Sequence, residues 1–237
     1  MNPSERYMFT LSVIIPAAGS GIRMKSDVPK PFIKLHQKTV LEHTVEAFKQ
    51  VPQVQRIVIA TSGDTLEKAR TLFSDNGSEP EVLCIEGGSE RQYSISNALQ
   101  KVGDVDLVAI HDAVRPFVRV KDILECSEAA LGIGAAILAV KASDTIKVVD
   151  DSAFVTETLD RGKIWLAQTP QIFRKDILLS AYSKALESDL AFTDDASLVE
   201  HAGYPVKVIP GDSRNIKLTY PNDMQRAKPI IKELWQK

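Results

Sequence analysis

The sequence predicts an α/β protein: a mostly parallel sheet with helices on both faces, carrying a protruding β-hairpin arm. Three observations lead there. Short apolar, β-branched runs recur along the chain; amphipathic helical patterns lie between them; and one stretch breaks this rhythm with two alternating runs and no helix between.

The strand-like runs are Leu11 to Ala17, Gln55 to Ala60, Glu81 to Ile85, Leu107 to Ile110 and Ala135 to Val140. Each is too short and too apolar for a half-buried surface, as strands covered on both faces require. Between them, Leu41, Val45 and Phe48 share one helical face, as do Leu66, Ala69, Arg70 and Phe73. Ile95, Leu99 and Val102 mark a third helix, and Ile123, Leu124 and Leu131 a fourth. After Val140, Thr145 to Val149 alternates, Asp150-Asp151 reads as a turn, and Phe154 to Leu159 alternates again. That is a hairpin. A lone two-stranded ribbon is marginal in water, so its apolar residues must lie on their own domain or on another subunit. The chain then resumes its α/β character. A helix starts near Asp194 with Thr193 as cap, a strand covers Val206 to Ile209, and Pro221 opens a last helix. The expected organisation is a single domain over 1–237 with the arm, 142–162, inserted in it.

Composition bounds the function. The chain has 237 residues, 44% hydrophobic and 25% charged, enough for a sizeable core. A net charge of −2 argues against a general nucleic-acid binder. No apolar run approaches the ~20 residues of a membrane span, and the N-terminus lacks a long apolar stretch, so a cytoplasmic enzyme is expected. Cys84 and Cys126 read as buried thiols, since no Cys-x-x-Cys and no His pair at ligand spacing is present.

The first strand runs into Pro16-Ala17-Ala18-Gly19-Ser20-Gly21-Ile22-Arg23-Met24, followed by Lys30-Pro31. Small residues let a backbone approach a ligand closely, and successive N–H groups in such a turn form an anion nest. Arg23 and Lys30 add full charges suited to a nucleoside triphosphate. The spacing is not that of a P-loop, nor that of a dinucleotide-binding fingerprint. The fourth strand runs into His111-Asp112-Ala113-Val114-Arg115-Pro116. An acid at the carboxyl end of a buried parallel strand faces the ligand crevice, where Mg²⁺ takes one or two carboxylates plus phosphates. Asp112 is the candidate metal ligand and Arg115 the candidate partner of a substrate phosphate. The same two residues also suit an ion pair that closes a turn. His111 is expected to orient rather than to ligate.

The small-Ala-Gly-x-Gly-x-Arg-Met pattern followed by Pro-Lys resembles the nucleotidyltransferase superfamily, which implies a Rossmann-like sheet. Its Pro16-Ala17-Ala18-Gly19 form, with the segments below, resembles the 2-C-methyl-D-erythritol 4-phosphate cytidylyltransferases of the non-mevalonate isoprenoid route. The resemblance runs from Val13 to about Met224. It implies that Gly87-Gly88-Ser89-Glu90-Arg91 with Ser94 recognises cytosine and ribose, through Gly88, Ser89 and Ser94. Ser89 suits a helix N-cap equally well, and some relatives have an acid at its place. Pro16, Ala17, Ala18, Gly19 and Ala113 are further implied nucleotide contacts. The implied second-substrate positions are Asp112, Arg115, Thr145, Arg161, Thr169 and Thr193, with Arg23, Lys30 and Lys217 as the catalytic cations. In the family the arm embraces a second subunit, and its Thr and Arg reach the neighbour's site. The resemblance thus implies CTP and methylerythritol phosphate as substrates, Mg²⁺ as cofactor and a homodimer. Ribitol-5-phosphate cytidylyltransferases are the nearest rival. Their relatives tend to begin the loop with Ala-Gly-Gly and to lack the run seen at Thr193 to Ser197. A catalytically silent nucleotide-binding regulator is the rival of another class; Arg23, Lys30 and Asp112 are all present against it.

Overall fold

The computed structural model describes residues 8–19, 28–74, 79–186 and 192–235. In chain order the elements are β1 (Leu11–Pro16), a 3₁₀ turn (Lys30–Phe32), β2 (Lys34–Leu35), β3 (Lys38–Thr39), α1 (Val40–Lys49), β4 (Val54–Thr61) and α2 (Gly63–Leu72). Then come β5 (Glu81–Glu86), α3 (Arg91–Leu99), β6 (Leu107–Ile110), α4 (Val120–Ile133), β7 (Ala135–Lys141), β8 (Lys147–Val149) and β9 (Val155–Thr158). A second 3₁₀ turn (Arg161–Lys163) leads into β10 (Trp165–Arg174), α5 (Lys175–Leu186), α6 (Asp195–His201), β11 (Lys207–Pro210) and α7 (Pro221–Trp235).

Seven strands form one sheet in the order β11-β7-β10-β6-β1-β4-β5. β1 pairs in parallel with β4 and β6, β4 with β5, and β7 with β11. β10 alone runs antiparallel, between β6 and β7. Alternation along β1 shows how both faces are buried. Leu11, Val13 and Ile15 pack with Leu41, Phe48 and Ile123 on one face; Ile14 packs with Ile95, Leu99 and Leu178 on the other. So α1, α2 and α4 cover one face, and α3, α5 and α6 the other. Fully burying one such side chain stabilises by about 1.5–3 kcal/mol.

Local sequence explains α1 closely. The Thr39 hydroxyl accepts from the Glu42 N–H, and the Glu42 carboxylate accepts from the Thr39 N–H, a reciprocal capping box. Elsewhere the structure moves expected boundaries. The cap of α6 is Asp194, whose carboxylate accepts from the Ser197 N–H; Thr193 lies outside the helix. The N-cap of α3 is Glu90 rather than Ser89. Arg70 faces solvent beside Glu67, and Leu131 is exposed, because each sits off the buried stripe of its helix. Val102 is buried, but in the turn after α3. The antiparallel β10 and the helix α5 behind it were not expected.

The arm is a separate two-stranded ribbon of β8 and β9, shorter than the expected runs. Every residue of both strands is exposed. Cys84 and Cys126 are buried free thiols, and burial pushes both above the ordinary thiol range, Cys84 to about 11. Among the described residues, no helix is long and apolar enough to cross a membrane.

Candidate active site

The parallel strands end on one edge of the sheet, and the sequence motifs meet there. β1 delivers Pro16 and Ala17, whose N–H donates to the Ala60 carbonyl at 2.7 Å. β5 delivers Gly87, whose N–H donates to the Thr61 carbonyl at 2.8 Å. A Cβ at Gly87 would lie 3.3 Å from the Ala18 Cβ and 2.7 Å from the Ser94 hydroxyl. The two loops therefore touch, and only small residues let them. Gly88 is constrained further: a Cβ there would meet the Tyr93 Cβ at 2.3 Å. Ser94 is fully buried, and its hydroxyl accepts from the Gly88 N–H at 3.0 Å and donates to the Glu90 carbonyl. Its role in the structure is to shape the Gly88 turn. Ser89 and Gly19 face solvent.

Residues 20–27, Arg23 among them, lie outside the described ones, and the described chain resumes at Val28. Lys30 then opens a 3₁₀ turn whose Pro31 and Phe32 are buried, so its backbone is tethered to the core. Ala113, an expected nucleotide contact, is buried, and its carbonyl accepts from the Thr44 hydroxyl of α1.

Asp112 is the centre of the second group. It is the second residue after β6, and its N–H donates to the Thr169 hydroxyl at 3.0 Å. Its Oδ2 meets Lys217 Nζ at 2.9 Å and Arg115 Nε at 3.4 Å. Burial works against ionisation, but the charges of Lys217, Arg115 and Arg91 outweigh it and hold the carboxyl below its ordinary range. Arg115 also donates to the Asn215 carbonyl at 2.7 Å. Asn215 is fully buried and donates from Nδ2 to the Thr169 carbonyl at 2.8 Å. His111 orients the turn: its Nε2 lies 2.9 Å from the Arg115 carbonyl, and burial lowers its pKa to about 4, leaving it neutral. One strand end and two distant loops are thus bound into a single constellation.

Its Thr169 member depends on a defect in β10. Ala167 pairs with Ala139 and Gln171 with Ile137, four steps of β10 against two of β7. The extra residues bulge at Gln168, Thr169 and Pro170. Gln168 Nε2 donates from this bulge to the Asp212 carbonyl at 3.0 Å, which sets the loop after β11 that carries Asn215 and Lys217. Asp212 in turn pairs with Arg214 at 2.7 Å and Arg119 at 2.9 Å.

A family model described as 2-C-methyl-D-erythritol 4-phosphate cytidylyltransferase matches residues 11–233. The chain belongs to that family. It is therefore a cytidylyltransferase, a nucleotidyltransferase enzyme. The protein of this name from Syntrophus aciditrophicus is 43% identical over 226 residues, covering 93% of this chain and 95% of that one. The one from Desulforamulus reducens is 39% identical over 227 residues, covering 95% and 97%. The solved 4-diphosphocytidyl-2C-methyl-D-erythritol synthase of Anaerococcus prevotii superposes with a TM-score of 0.83 at 30% identity, covering 94% of this chain and 96% of that one.

Against this cytidylyltransferase frame, the structure gathers Asp112, Arg115, Thr169 and Lys217, and it places Ala18 against Gly87. Thr193 is exposed at the start of α6. Thr145 and Arg161 are exposed in the arm, where Arg161 donates to the Ser143 carbonyl. Three residues escaped sequence reasoning. They are Asn215, Arg91 and Asp195, none of which carries a role of its own in the sequence reading. The arginine Nη2 meets the buried Asp195 carboxylate at 2.6 Å. The signal that was available for Asp195 is its place beside Asp194, two acids at a helix start of which only one can cap.

Proposed function

We propose that this chain transfers CMP from CTP to 2-C-methyl-D-erythritol 4-phosphate, giving 4-diphosphocytidyl-2-C-methyl-D-erythritol and pyrophosphate. The observation that carries the reading is the ionised Asp112 between Lys217 and Arg115, at the carboxyl end of β6. The triphosphate lies in the loop from Pro16 to Lys30, with its base and ribose toward Gly88 and Ser89. Arg115, Thr169 and Thr193 hold the phosphate and hydroxyls of the second substrate. One of its phosphate oxygens attacks the α-phosphorus in line. The new P–O bond forms as the bond to the bridging oxygen breaks, and pyrophosphate leaves with that electron pair. No covalent nucleophile on the protein is needed, since positioning and charge stabilisation carry such a step. Arg23, Lys30 and Lys217 meet the negative charge that develops.

Mg²⁺ fits this donor set. No cluster of three metal-ligating side chains occurs among the described residues, but Mg²⁺ commonly takes one carboxylate and completes its shell with phosphates and water. Asp112 would hold it, and the ion would neutralise phosphate charge. The reading also includes a homodimer, in which Thr145 and Arg161 of each arm enter the neighbour's site. Val149, Phe154 and Val155, exposed on the arm, support it. Two free cysteines suit a reducing, cytoplasmic setting.

Pyrophosphate release from each nucleoside triphosphate, with methylerythritol phosphate and ribitol 5-phosphate offered in turn, tests the reading. CTP with methylerythritol phosphate should give the highest kcat/KM. Equal use of a purine triphosphate would overturn the base assignment, and preference for ribitol phosphate would overturn the second substrate.

A further inference from the structure

Asp195 is 1% exposed, and each of its oxygens takes one donor. Oδ2 receives Arg91 Nη2 at 2.6 Å, and Oδ1 receives the hydroxyl of the buried Tyr182 at 2.6 Å. Arg91 is the first residue of α3, two positions after Ser89. Asp195 is the first residue of α6, two positions after Thr193. One ion pair therefore bridges the nucleotide segment and a second-substrate position across 104 residues of sequence.

The start of α6 does not need this bridge to stay folded. The Asp194–Ser197 capping box closes the helix. Gln171 of β10 ties it to the sheet twice, accepting from the Ala196 N–H at 3.0 Å and donating to Asp194 at 2.7 Å. Tyr182 anchors the far side of Asp195. What Arg91 adds is a link to the other loop. Breaking it leaves a buried carboxylate with a single neutral donor, a costly state that the start of α6 relieves by shifting. The Arg91 side chain is 39% exposed, and its charge also acts on Asp112.

We infer that Arg91 is a positioning residue: through Asp195 it holds Thr193 in register with the Gly88–Ser89 nucleotide segment. The inference rests on the assignment of Thr193 to the second substrate.

The test is steady-state kinetics on Arg91→Gln, Arg91→Lys, Asp195→Asn, Thr193→Val and the doubles, with melting temperatures alongside. Arg91→Gln should raise KM for methylerythritol phosphate about tenfold, with smaller changes in kcat and in KM for CTP. Asp195→Asn should do the same, and the Arg91→Gln/Asp195→Asn double should be no worse than either single, as for two partners of one interaction. Arg91→Lys keeps the cation and should recover most of the loss. In the Arg91→Gln background, Thr193→Val should add little. An unchanged KM in Arg91→Gln, while Thr193→Val is impaired in the wild-type background, overturns this inference alone. So does a lowered kcat and melting temperature, with both KM values raised alike, that lysine does not rescue. A harmless Thr193→Val removes that residue from the site and takes the inference with it.

Discussion

The Asp112 constellation and the arm are built on opposite terms. Around Asp112 the polar groups meet one another: Asn215 with Thr169, Arg115 with Asn215, Lys217 with Asp112. The arm satisfies its polar groups only locally. Lys147 donates to Thr158, Asp150 accepts from the Ser152 and Phe154 N–H groups, and Asp160 accepts from Gly162. Its apolar residues stay outside, with Phe154 71% exposed. A region whose contacts close within one chain can be rigid alone. A region that closes only its hydrogen bonds leaves its hydrophobic area for another surface. The Asp112 region is thus preorganised within one chain, whereas the arm leaves its apolar residues exposed.

The sharpest way to break this contrast is to make the two regions depend on each other. Lys30→Ala should lower kcat about 10²-fold, as loss of one transition-state donor does. Arg161→Ala should also be poorly active. In a purified, differently tagged heterodimer of the two, both lesions fall on one site and the other is intact, so activity should return. A heterodimer no better than its parents would place Arg161 in its own subunit's chemistry or in none.

Stability should separate the regions next. Asn215→Ala leaves the Thr169 carbonyl without its buried donor and should cost about 1–3 kcal/mol in urea unfolding. Phe154→Ser, by contrast, should stay within about 0.5 kcal/mol for the monomer. Its effect should appear as a weakened dimer in sedimentation.

A smaller effect is expected from acid. The hydrogen bond from Arg214, with the Arg119 charge, holds Asp212 at about 2 despite partial burial. The unfolded chain takes up that proton near pH 3.9. Between those values the unfolded state binds more protons, so stability present above pH 3.9 is lost as pH falls toward 2. Asp212→Asn should flatten this limb of a urea-midpoint profile. An unchanged profile would mean that the pair does not hold the loop bearing Lys217.

The sequence by itself determined the strand–helix rhythm, the burial of both sheet faces and the location of the motifs at strand ends. Periodicity and strong apolar runs such as Leu107 to Ile110 are local signals, and burial fixes which way they face. The arm was legible for the same reason, as alternation without a helix. Only the tertiary structure decided the rest. β10 escaped because Gln168, Thr169 and Pro170 interrupt its pattern, and a proline argues against a central strand; the bulge opposite β7 is what accommodates it. Thr193 lost the cap to Asp194 because the helix began one residue later. The bonds that tie Asn215 to Thr169, 46 residues away, and Arg91 to Asp195 leave no trace in any local window. Such partners are chosen by which loops the sheet order brings together, and that order is set by long-range packing rather than by any one segment.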